Sequence, residues 1–401
     1  MSFRYIAGLL GTAPVVVGPV DGEGGSAPGI WTRPDQANLQ ALGTWPKPIV
    51  DKYLWSWGDN ASGQLGLINT TNYSSPKQVG ALNTWKSCTG GSDFSAATKT
   101  NGTLWSFGGN SFGQLGIGST SMQTSPNQVG ALTNWLKIAA VYRRCMATKT
   151  DGTLWNWGWN GSGQLGLGNI TNYSSPKQVG SLTTWLNIAG GGAHALATKT
   201  DGTLWSWGSN SNGQLGLGNT TNYSSPKQVG ALTSWLNVAA GYYYSISIKT
   251  DGTLWAWGQN GNGQLGLGNT TSYSSPKQVG TLTSWSTSSC GFYYTLALKT
   301  DGTLWAWGQG GSGQLGQGNT TNYSSPKQVG ALTTWSKIGS GRAFALAIKT
   351  DKTLWTWGAN SLGQLGLGNT TYYSSPKQVG ALTTWLSVAG GIYFTIAIKS
   401  P

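Results

Sequence analysis

A stretch in which apolar runs flank an Asp-Gly pair, Ile248 to Gly258, returns along the chain at a fixed interval of fifty residues. Such a pair between two strand-like runs predicts a tight hairpin in which both central residues have positive φ. The Trp that opens the second strand marks seven copies without insertions: Trp55, Trp105, Trp155, Trp205, Trp255, Trp305 and Trp355. A period this regular makes the repeat the unit of architecture.

Each repeat contains four segments with strand character. In one copy they are Leu204 to Gly208, a short segment around Lys227 to Val229, Trp235 to Ala239, and Ser245 to Lys249. Four short strands per fifty residues are typical of a propeller blade. Within the first strand Trp205 and Trp207 share a face, so each blade gains a large apolar surface to bury against its neighbour.

The ends of the repeat array predict a closed ring. The chain enters the array at Leu54 to Gly58, the second half of a hairpin, and leaves it at Phe394 to Lys399, the first half. We expect these two strands to pair with each other, which removes the exposed edges of an open array. The predicted fold is therefore all-β: a seven-bladed β-propeller of four-stranded blades over residues 49–401.

Residues 1–48 lie outside the repeat and predict an attachment segment. A mildly apolar arm leads into a linker rich in Gly and Pro. The capping pattern then predicts a helix of about two turns that begins at Thr32 and ends at Gly43. Trp31 and Trp45 bracket this helix and are the candidate attachment residues.

Composition supports a folded chain and explains the charge. Glycine is abundant at 63 residues, but 23 Trp provide far more burial than a disordered chain possesses. The net charge of +13 results from the duplication of the repeat, because 13 lysines occupy just two positions of the repeat. One set is Lys99, Lys149, Lys199, Lys249, Lys299, Lys349 and Lys399, and the other is Lys77, Lys177, Lys227, Lys277, Lys327 and Lys377. In a ring they form bands of like charge, either solvated or attractive to anionic surfaces.

The unit Leu204 to Gly218, with its Gly-Gln-Leu-Gly core, is followed by Ser-Pro-x-Gln-Val. It closely resembles the repeat of the regulator of chromosome condensation family over about 350 residues of the chain. The resemblance implies a seven-bladed propeller. The family's usual Gly-x-x-His at the head of the last strand survives only at His194.

The sequence offers little to a catalytic mechanism. His194 is the single histidine, and it occupies the family's structural His position. The recurring Asp of the Asp-Gly pairs is expected to shape a turn, and the recurring Gln of the Gly-Gln-Leu-Gly core to satisfy backbone groups in its own turn. No cluster has metal-ligand spacing, and the three cysteines form no disulfide framework. The sequence therefore predicts a protein that is not an enzyme and that uses no cofactor.

The copies differ mainly at two places. One is the tip after the first strand, at residues 59–62, 109–112 and 159–162. The other is the loop before the last strand, which is rich in the Tyr and Arg that favour binding hot spots, although such aromatic residues would also fill gaps near the axis. The candidate binding residues are Phe94, Tyr142, Arg143, Arg144, Tyr242, Tyr243, Tyr244, Phe292, Tyr293, Tyr294, Arg342 and Tyr393.

The segment from Gly29 to Pro46, with Trp31 and Trp45, resembles a short segment of virion proteins of tailed marine bacteriophages. This resemblance implies a tail-associated or fibre-like virion protein. Its propeller would dock other virion proteins or recognise a glycan or protein of the host surface. Several copies of the protein would assemble on the particle. Two alternatives remain open. One is a nucleotide-exchange or chromatin-binding protein. Residues 1–48 lack the basic tail expected of such a protein, which argues against this alternative. The other is a secreted bacterial binding or inhibitor protein. The expected location is the virion, and the alternative locations are secreted and cytoplasmic. The sequence predicts neither a membrane span nor nucleic-acid binding.

Overall fold

The computed structural model describes residues 51–401, which form 28 β-strands and no helix. In chain order the strands are β1 (Tyr53–Gly58), β2 (Tyr73–Gln78), β3 (Trp85–Gly90), β4 (Phe94–Lys99), β5 (Leu104–Gly108), β6 (Gln123–Gln128), β7 (Trp135–Val141), β8 (Arg144–Lys149), β9 (Leu154–Gly158), β10 (Tyr173–Gln178), β11 (Trp185–Gly190), β12 (His194–Lys199), β13 (Leu204–Gly208), β14 (Tyr223–Gln228), β15 (Trp235–Ala240), β16 (Tyr244–Lys249), β17 (Leu254–Gly258), β18 (Tyr273–Gln278), β19 (Trp285–Cys290), β20 (Tyr294–Lys299), β21 (Leu304–Gly308), β22 (Tyr323–Gln328), β23 (Trp335–Ser340), β24 (Phe344–Lys349), β25 (Leu354–Gly358), β26 (Tyr373–Gln378), β27 (Trp385–Gly390) and β28 (Phe394–Lys399).

The strands form seven antiparallel sheets of four strands, which are the blades of the predicted propeller. Blades 1 to 6 take consecutive strands, from β3 to β6 in blade 1 through to β23 to β26 in blade 6. Blade 7 has the order β27, β28, β1, β2 and joins the two ends of the array. The predicted fold class is confirmed.

Ring closure takes place inside blade 7. Strands β1 and β28 pair antiparallel along their whole length, from Tyr53 opposite Lys399 to Gly58 opposite Phe394. Since β28 also pairs with β27, the last strand of the chain is an interior strand of its sheet. The predicted pairing across the chain ends is confirmed.

The strand bounds agree with the prediction except in the outermost strand. Leu204–Gly208 is reproduced without change, and Trp235–Ala240 and Tyr244–Lys249 differ from the prediction by one residue each. The outermost strand, Tyr223–Gln228, begins before the predicted segment. Its Tyr-Ser-Ser-Pro run has no apolar alternation, and the proline is tolerated because an edge strand leaves one side of the backbone unpaired.

The Asp-Gly hairpin is present, but the predicted turn type is wrong. In blade 3 Lys199 N–H donates to the Thr203 carbonyl at 3.0 Å, and only Gly202 has positive φ, at 75°. The loop is therefore one residue longer than a two-residue turn and ends in a bulge glycine. Asp201 accepts hydrogen bonds from the backbone N–H and the hydroxyl of Thr203, so its predicted role as a turn residue is confirmed.

Tryptophan side chains fill the interfaces between blades. Trp207 is fully buried, and its indole N–H donates to the carbonyl of Gln164 in the preceding blade at 3.0 Å. Its ring also packs edge-on against Trp185, with 6.0 Å between the ring centroids. Gly166 lies so close that a Cβ there would be 2.7 Å from the indole nitrogen. The recurring glycine is thus required by the neighbouring tryptophan, and the Trp surface predicted for each blade is confirmed.

The propeller has two faces that differ in their connections. The turn face carries the Asp-Gly turns and the segments that connect one blade to the next. The loop face carries the long loops between the third and fourth strands of each blade, which begin with the variable tips. It also carries the short loops between the two innermost strands of each blade, which we call the inner loops. The innermost strands surround an axial cavity of about 280 Å³ that is lined largely by Gly, Ala and Ser.

The predictions for residues 1–48, which include the helix and the attachment residues Trp31 and Trp45, lie outside the described residues, and the domain boundary stays a prediction. Within residues 51–401 no helix could cross a bilayer. In the same residues no group of three or more His, Cys, Asp and Glu side chains gathers as a metal site requires.

Candidate functional site

The inner loops form a rim around the loop-face mouth of the axis. Each consists of two or three residues, and backbone hydrogen bonds join five of the seven neighbouring pairs of loops. Gly192 N–H donates to the Tyr242 carbonyl at 3.0 Å, Tyr242 N–H to Phe292 at 3.2 Å, and Phe292 N–H to Arg342 at 3.2 Å. Ser92 N–H donates to Tyr142 at 2.8 Å. These bonds fix the backbone on which the variable side chains stand.

In every blade, the first residue of the second strand from the axis is fully buried beneath this rim. The set is Phe94, Arg144, His194, Tyr244, Tyr294, Phe344 and Phe394, each with no exposed surface. Four of the candidate binding residues, Phe94, Arg144, Tyr244 and Tyr294, therefore lie in the core and present nothing at the surface. Sequence spacing placed them in the loop, but they begin a strand whose side chains fill the space between blades.

The polar members of this buried set bridge adjacent blades. Tyr244 donates its hydroxyl to the Tyr294 carbonyl, and Tyr294 donates to the Phe344 carbonyl. Arg144 donates from Nη2 to the His194 carbonyl, and His194 Nε2 lies 3.0 Å from the Ser245 hydroxyl. Each side chain thus reaches the next blade, and together they hold four consecutive interfaces under the loop face.

Burial governs the protonation of this set. It lowers the pKa of His194 to about 3, with a further contribution from the nearby Arg144 guanidinium. It also lowers the pKa of Arg144 to about 9. The imidazole is therefore neutral at physiological pH, and with no solvent contact it has no access to a substrate.

A cluster of aromatic side chains crosses the loop face above the axis. Tyr242 stacks on Phe292 with 4.6 Å between ring centroids, and Tyr142 packs edge-on against Tyr242 at 5.6 Å. Tyr243 lies 4.4 Å from Tyr242, and Tyr293 lies 6.3 Å from Phe292. All five are partly exposed. The structure thus brings five of the candidate binding residues into one continuous patch.

The contact between Tyr142 and Tyr242 joins blades 2 and 4 and passes over blade 3. The inner loop of blade 3 is small, and a Cβ on Gly192 would lie 2.8 Å from the Tyr242 ring. Tyr142 itself has φ of 44°, in the left-handed region that a bulky residue rarely adopts. Such strain persists where the surroundings impose it, and it concentrates at functional sites.

Two aromatic residues that were not among the candidates extend the patch, Trp159 from blade 2 and Phe112 from blade 1. Trp159 packs against Tyr142 at 6.0 Å, and Phe112 packs against Trp159 at 6.4 Å. Both lie in the variable tip after the first strand, so the signal that could have found them was the difference between copies. The Arg143 guanidinium lies 4.9 Å over the Phe112 ring and 5.2 Å over Tyr142. Its side chain is exposed.

The other end of the patch carries the second exposed arginine. Arg342 lies 5.5 Å over the Phe292 ring and 5.4 Å over the Tyr393 ring, and it donates a hydrogen bond to the Tyr393 hydroxyl. We call the whole set the aromatic patch: Phe112, Tyr142, Arg143, Trp159, Tyr242, Tyr243, Phe292, Tyr293, Arg342 and Tyr393.

The aromatic patch covers only part of the loop face. In blade 1 the corresponding inner loop contains Ser92 and Asp93, whose side chains hydrogen-bond to each other at 2.6 Å. In blade 3 it contains Gly192 and Ala193. The inner loops of blades 1 and 3 thus carry small or acidic side chains beside the aromatic patch, and the sevenfold repeat of the scaffold is broken here.

Two tyrosines of the loop face stay protonated, and the recurring glutamines bind backbone groups. Desolvation raises the pKa of Tyr242 and of Tyr293, so both phenols remain neutral hydrogen-bond donors. The recurring Gln residues are committed to their own turns: Gln214 Oε1, for example, accepts the Asn212 backbone N–H at 2.8 Å. This bond recurs in all seven copies, which confirms the structural role predicted for these amides.

Comparison with known families identifies two models that together span the described residues. The model described as the RCC1-like domain matches residues 181–397. The model described as the regulator of chromosome condensation (RCC1) repeat matches residues 51–98, 101–147 and 151–198. No curated protein sequence matches the chain.

Solved structures share the fold at low sequence identity. Human WBSCR16 aligns with a TM-score of 0.78 and 20% identity, covering 87% of this chain and 99% of its own. Prp20p from Saccharomyces cerevisiae, in a study of its binding to Gsp1p and histones, aligns with a TM-score of 0.78 and 18% identity over 88% and 92%. The complex of Kap60 with yeast RCC1 (Prp20) gives 0.79 and 18% over 88% and 89%.

Proposed function

Because this chain belongs to the RCC1-like domain family, we propose that it is a non-enzymatic protein-binding propeller that docks its partner on the aromatic patch of the loop face. The partner contacts the exposed Tyr, Phe, Trp and Arg side chains, while the seven blades act as a rigid support.

The observation that carries this proposal is the coincidence of three properties at one place. The aromatic patch lies where the repeats differ, whereas nearly every other position is copied. It concentrates Tyr, Trp and Arg, the residues that dominate the binding energy of protein interfaces. It also contains a strained backbone position at Tyr142. A surface that only filled the axis would need neither exposed arginines nor strain.

The relatives favour a regulatory or chromatin-type binding protein over a virion component. Prp20p is described by its binding to Gsp1p and histones, and it is also seen bound to Kap60. These partners are proteins, which is the class we propose here. At 18% identity the likeness extends to the fold alone, so the partner of this chain is to be identified by experiment.

Site-specific photo-crosslinking tests the proposal. A photoreactive phenylalanine analogue replaces Tyr243 on the loop face, and in a matched variant it replaces the exposed Thr250 in an Asp-Gly turn on the turn face. We expect a discrete protein adduct from position 243 in native cells, with none from 250. Adducts from both positions alike, or none from 243, would contradict the docking site.

A second measurement separates exchange activity from docking alone. Release of a fluorescent guanine nucleotide from purified Gsp1p is followed with the wild-type chain and with the Tyr243→Ser, Arg342→Ala variant. Faster release that the variant abolishes would identify an exchange factor. Unchanged release together with a loop-face adduct would leave a docking protein.

The virion location and the attachment role of Trp31 and Trp45 stay predictions, as do the secreted and cytoplasmic alternatives. They depend on residues 1–48, outside the described part of the chain. Co-purification of the chain with intact phage particles is expected under the virion hypothesis, and its absence from particles would end it.

A further inference from the structure

The outer rim of the propeller carries a repeated groove between neighbouring blades. Between blades 5 and 6 the groove has a volume of about 410 Å³ and is lined by Leu332, Trp355, Ser375 and Pro376 among others. Fifty residues further along, between blades 6 and 7, the equivalent residues Leu382, Trp55, Ser75 and Pro76 line a groove of about 400 Å³. We call these the rim grooves.

The residues that form a rim groove recur in every repeat. All seven copies have a Ser-Pro pair in the outermost strand, a leucine in the segment that connects two blades and a tryptophan in the third strand of the blade. The seven leucines are each 45–50% exposed: Leu82, Leu132, Leu182, Leu232, Leu282, Leu332 and Leu382. Tryptophan edge, proline ring and leucine together give each groove an apolar wall at the protein surface.

An exposed lysine directly follows the groove-lining Ser-Pro pair in six of the seven repeats. Lys377 follows Pro376 directly, and its ammonium group lies 5.5 Å over the Tyr373 ring. The same arrangement recurs at Lys77, Lys177, Lys227, Lys277 and Lys327, all exposed. No acidic residue occurs in the outermost strands that carry them. Each cation is therefore available to an anion from solvent.

The other set of repeated lysines is not available in this way. Lys349, for example, places its ammonium group 3.8 Å from the centroid of the Trp355 ring. The equivalent Lys99, Lys149, Lys199 and Lys249 are each only 6–7% exposed. These lysines are packed on tryptophan as cation–π partners, so the accessible positive charge concentrates in the rim band.

We propose that the six rim grooves whose Ser-Pro pair precedes an exposed lysine bind an acidic polysaccharide, with a sugar ring in the groove and its carboxylate or sulfate beside that lysine. The C–H face of the sugar packs on leucine, proline and tryptophan, and its hydroxyls reach the exposed serine of the Ser-Pro pair. Residues 51–401 contain 21 Lys and Arg and 8 Asp, so the excess of 13 positive charges lies in the propeller and complements such a polymer.

The arrangement favours this polymer over the two other polyanions. A nucleobase needs a free aromatic face for stacking, and Lys349 occupies a face of Trp355. An acidic protein presents one unique surface, whereas the rim presents the same groove repeatedly around a ring. A chain of identical acidic sugars can occupy several grooves at once, so that individually weak contacts add up to strong binding.

The interface between blades 7 and 1 is a natural exception. There Asn127 replaces the lysine, and Ile68, 81% exposed with φ of 64°, replaces the glycine found at this position in the other copies. Asparagine is thus compatible with this strand position and is the substitution of choice for the test.

The test measures binding of the full chain to immobilised polygalacturonate. One variant carries Lys177→Asn, Lys227→Asn and Lys277→Asn, and a second carries Leu132→Ser, Leu182→Ser and Leu232→Ser in the same three grooves. The control carries Lys86→Asn, Lys337→Asn and Lys352→Asn, which removes the same charge outside the rim. Thermal unfolding checks that each variant is folded.

We expect both rim variants to weaken binding by roughly tenfold through lost multivalency, and the control by less than about twofold. Neutral dextran should not bind, and a thymidine oligonucleotide should bind weakly and without dependence on the leucines. Equal losses in the control, oligonucleotide binding as tight as that of polygalacturonate, or no polygalacturonate binding at low salt would each overturn the proposal.

Discussion

At the residue scale, one repeat position shows how seven copies of one backbone accept different side chains. The residue that begins each second strand is Phe in blades 1, 6 and 7, Tyr in blades 4 and 5, Arg in blade 2 and His in blade 3. All are fully buried. Tyr, Arg and His reach the next blade by hydrogen bonds, although Arg144 Nε and His194 Nδ1 are buried without a partner, whereas Phe relies on packing alone. The position therefore accepts large side chains of different chemistry.

His194 makes stability depend on pH. Its pKa is about 3 in the folded protein and 6.5 when unperturbed, so the unfolded state binds the extra proton first as the pH falls. The free energy of unfolding should therefore decrease from pH 6.5 toward pH 4, by at most about 1.4 kcal/mol per pH unit. Chemical denaturation at pH 7, 5.5 and 4.5 measures the decrease.

His194→Phe is the matched control, because Phe already occupies this position in three blades. The variant should lose most of the pH dependence between 6.5 and 4.5. An unchanged slope would mean that other groups titrate on unfolding in this range.

Sequence reasoning was right about residues whose role is local. The turn role of the Asp residues and the turn-bound amides of the Gln residues follow from chemistry within a few positions. It could not identify the buried Arg144, because the guanidinium reaches the carbonyl of His194 fifty residues away in the next blade. Phe112 and Trp159 escaped for a similar reason, since only the folded ring brings them to Tyr142.

At the element scale, the interface between two blades depends on one tryptophan and one glycine-rich turn. The indole N–H reaches a Gln carbonyl of the preceding blade, as Trp157 does with Gln114 at 3.0 Å. Blade 1 is the exception, because Phe107 takes the place of this tryptophan. Its interface with blade 7 therefore lacks the bond, although Gly66 leaves the same space beside the ring.

Phe107→Trp should stabilise the propeller by about 1 kcal/mol, because the new indole N–H can donate to the Gln64 carbonyl. That carbonyl already accepts the Ser95 hydroxyl at 2.8 Å, and the equivalent Gln214 carbonyl accepts both a serine hydroxyl and an indole. Chemical denaturation at neutral pH gives the change in unfolding free energy.

Trp157→Phe is the reverse substitution at the equivalent interface and should cost a similar amount. A destabilised Phe107→Trp variant would show that the interface of blade 1 has adapted to the smaller ring.

Strands with a clear pattern of apolar positions were predictable from the sequence, and strands without one were not. The strand Ser245 to Lys249 alternates clearly in the sequence, and the three inner strands predicted for one repeat were recovered to within one residue. The outermost strand has the sequence Tyr-Ser-Ser-Pro-Lys-Gln, whose pairing is imposed by the neighbouring strand, so its start could not be inferred.

At the scale of the whole molecule, the ring depends on a blade assembled from both ends of the chain. Strand β28 lies between β1 and β27, so it supplies two sets of inter-strand hydrogen bonds. The number of blades and this closure were both predictable, because the copies are in phase and the two ends are complementary halves of one unit.

Deleting Thr395 to Pro401 should lower the melting temperature by roughly 10 °C or more, because it unpairs β1 and β27 and exposes the interfaces of blade 7. Differential scanning calorimetry measures the shift. Removing Pro401 alone, which is exposed and lies after the last strand, serves as the control. An unaltered melt in the longer deletion would contradict the contribution of closure to stability.

The aromatic patch could not be predicted as a unit. Its candidate residues were recognisable as variable and rich in Tyr and Arg, but which of them touch depends on the curvature of the ring. Tyr142 and Tyr242 meet over blade 3 because the intervening inner loop is small, and this relation is invisible in any single repeat.

The split blade also determines how such a molecule can change size over evolutionary time. Genetic recombination between near-identical units adds or removes whole wedges from the middle of the array, and it leaves both halves of the joining wedge untouched. Every product retains β1 and β28, the two strands whose pairing joins the ends of the array.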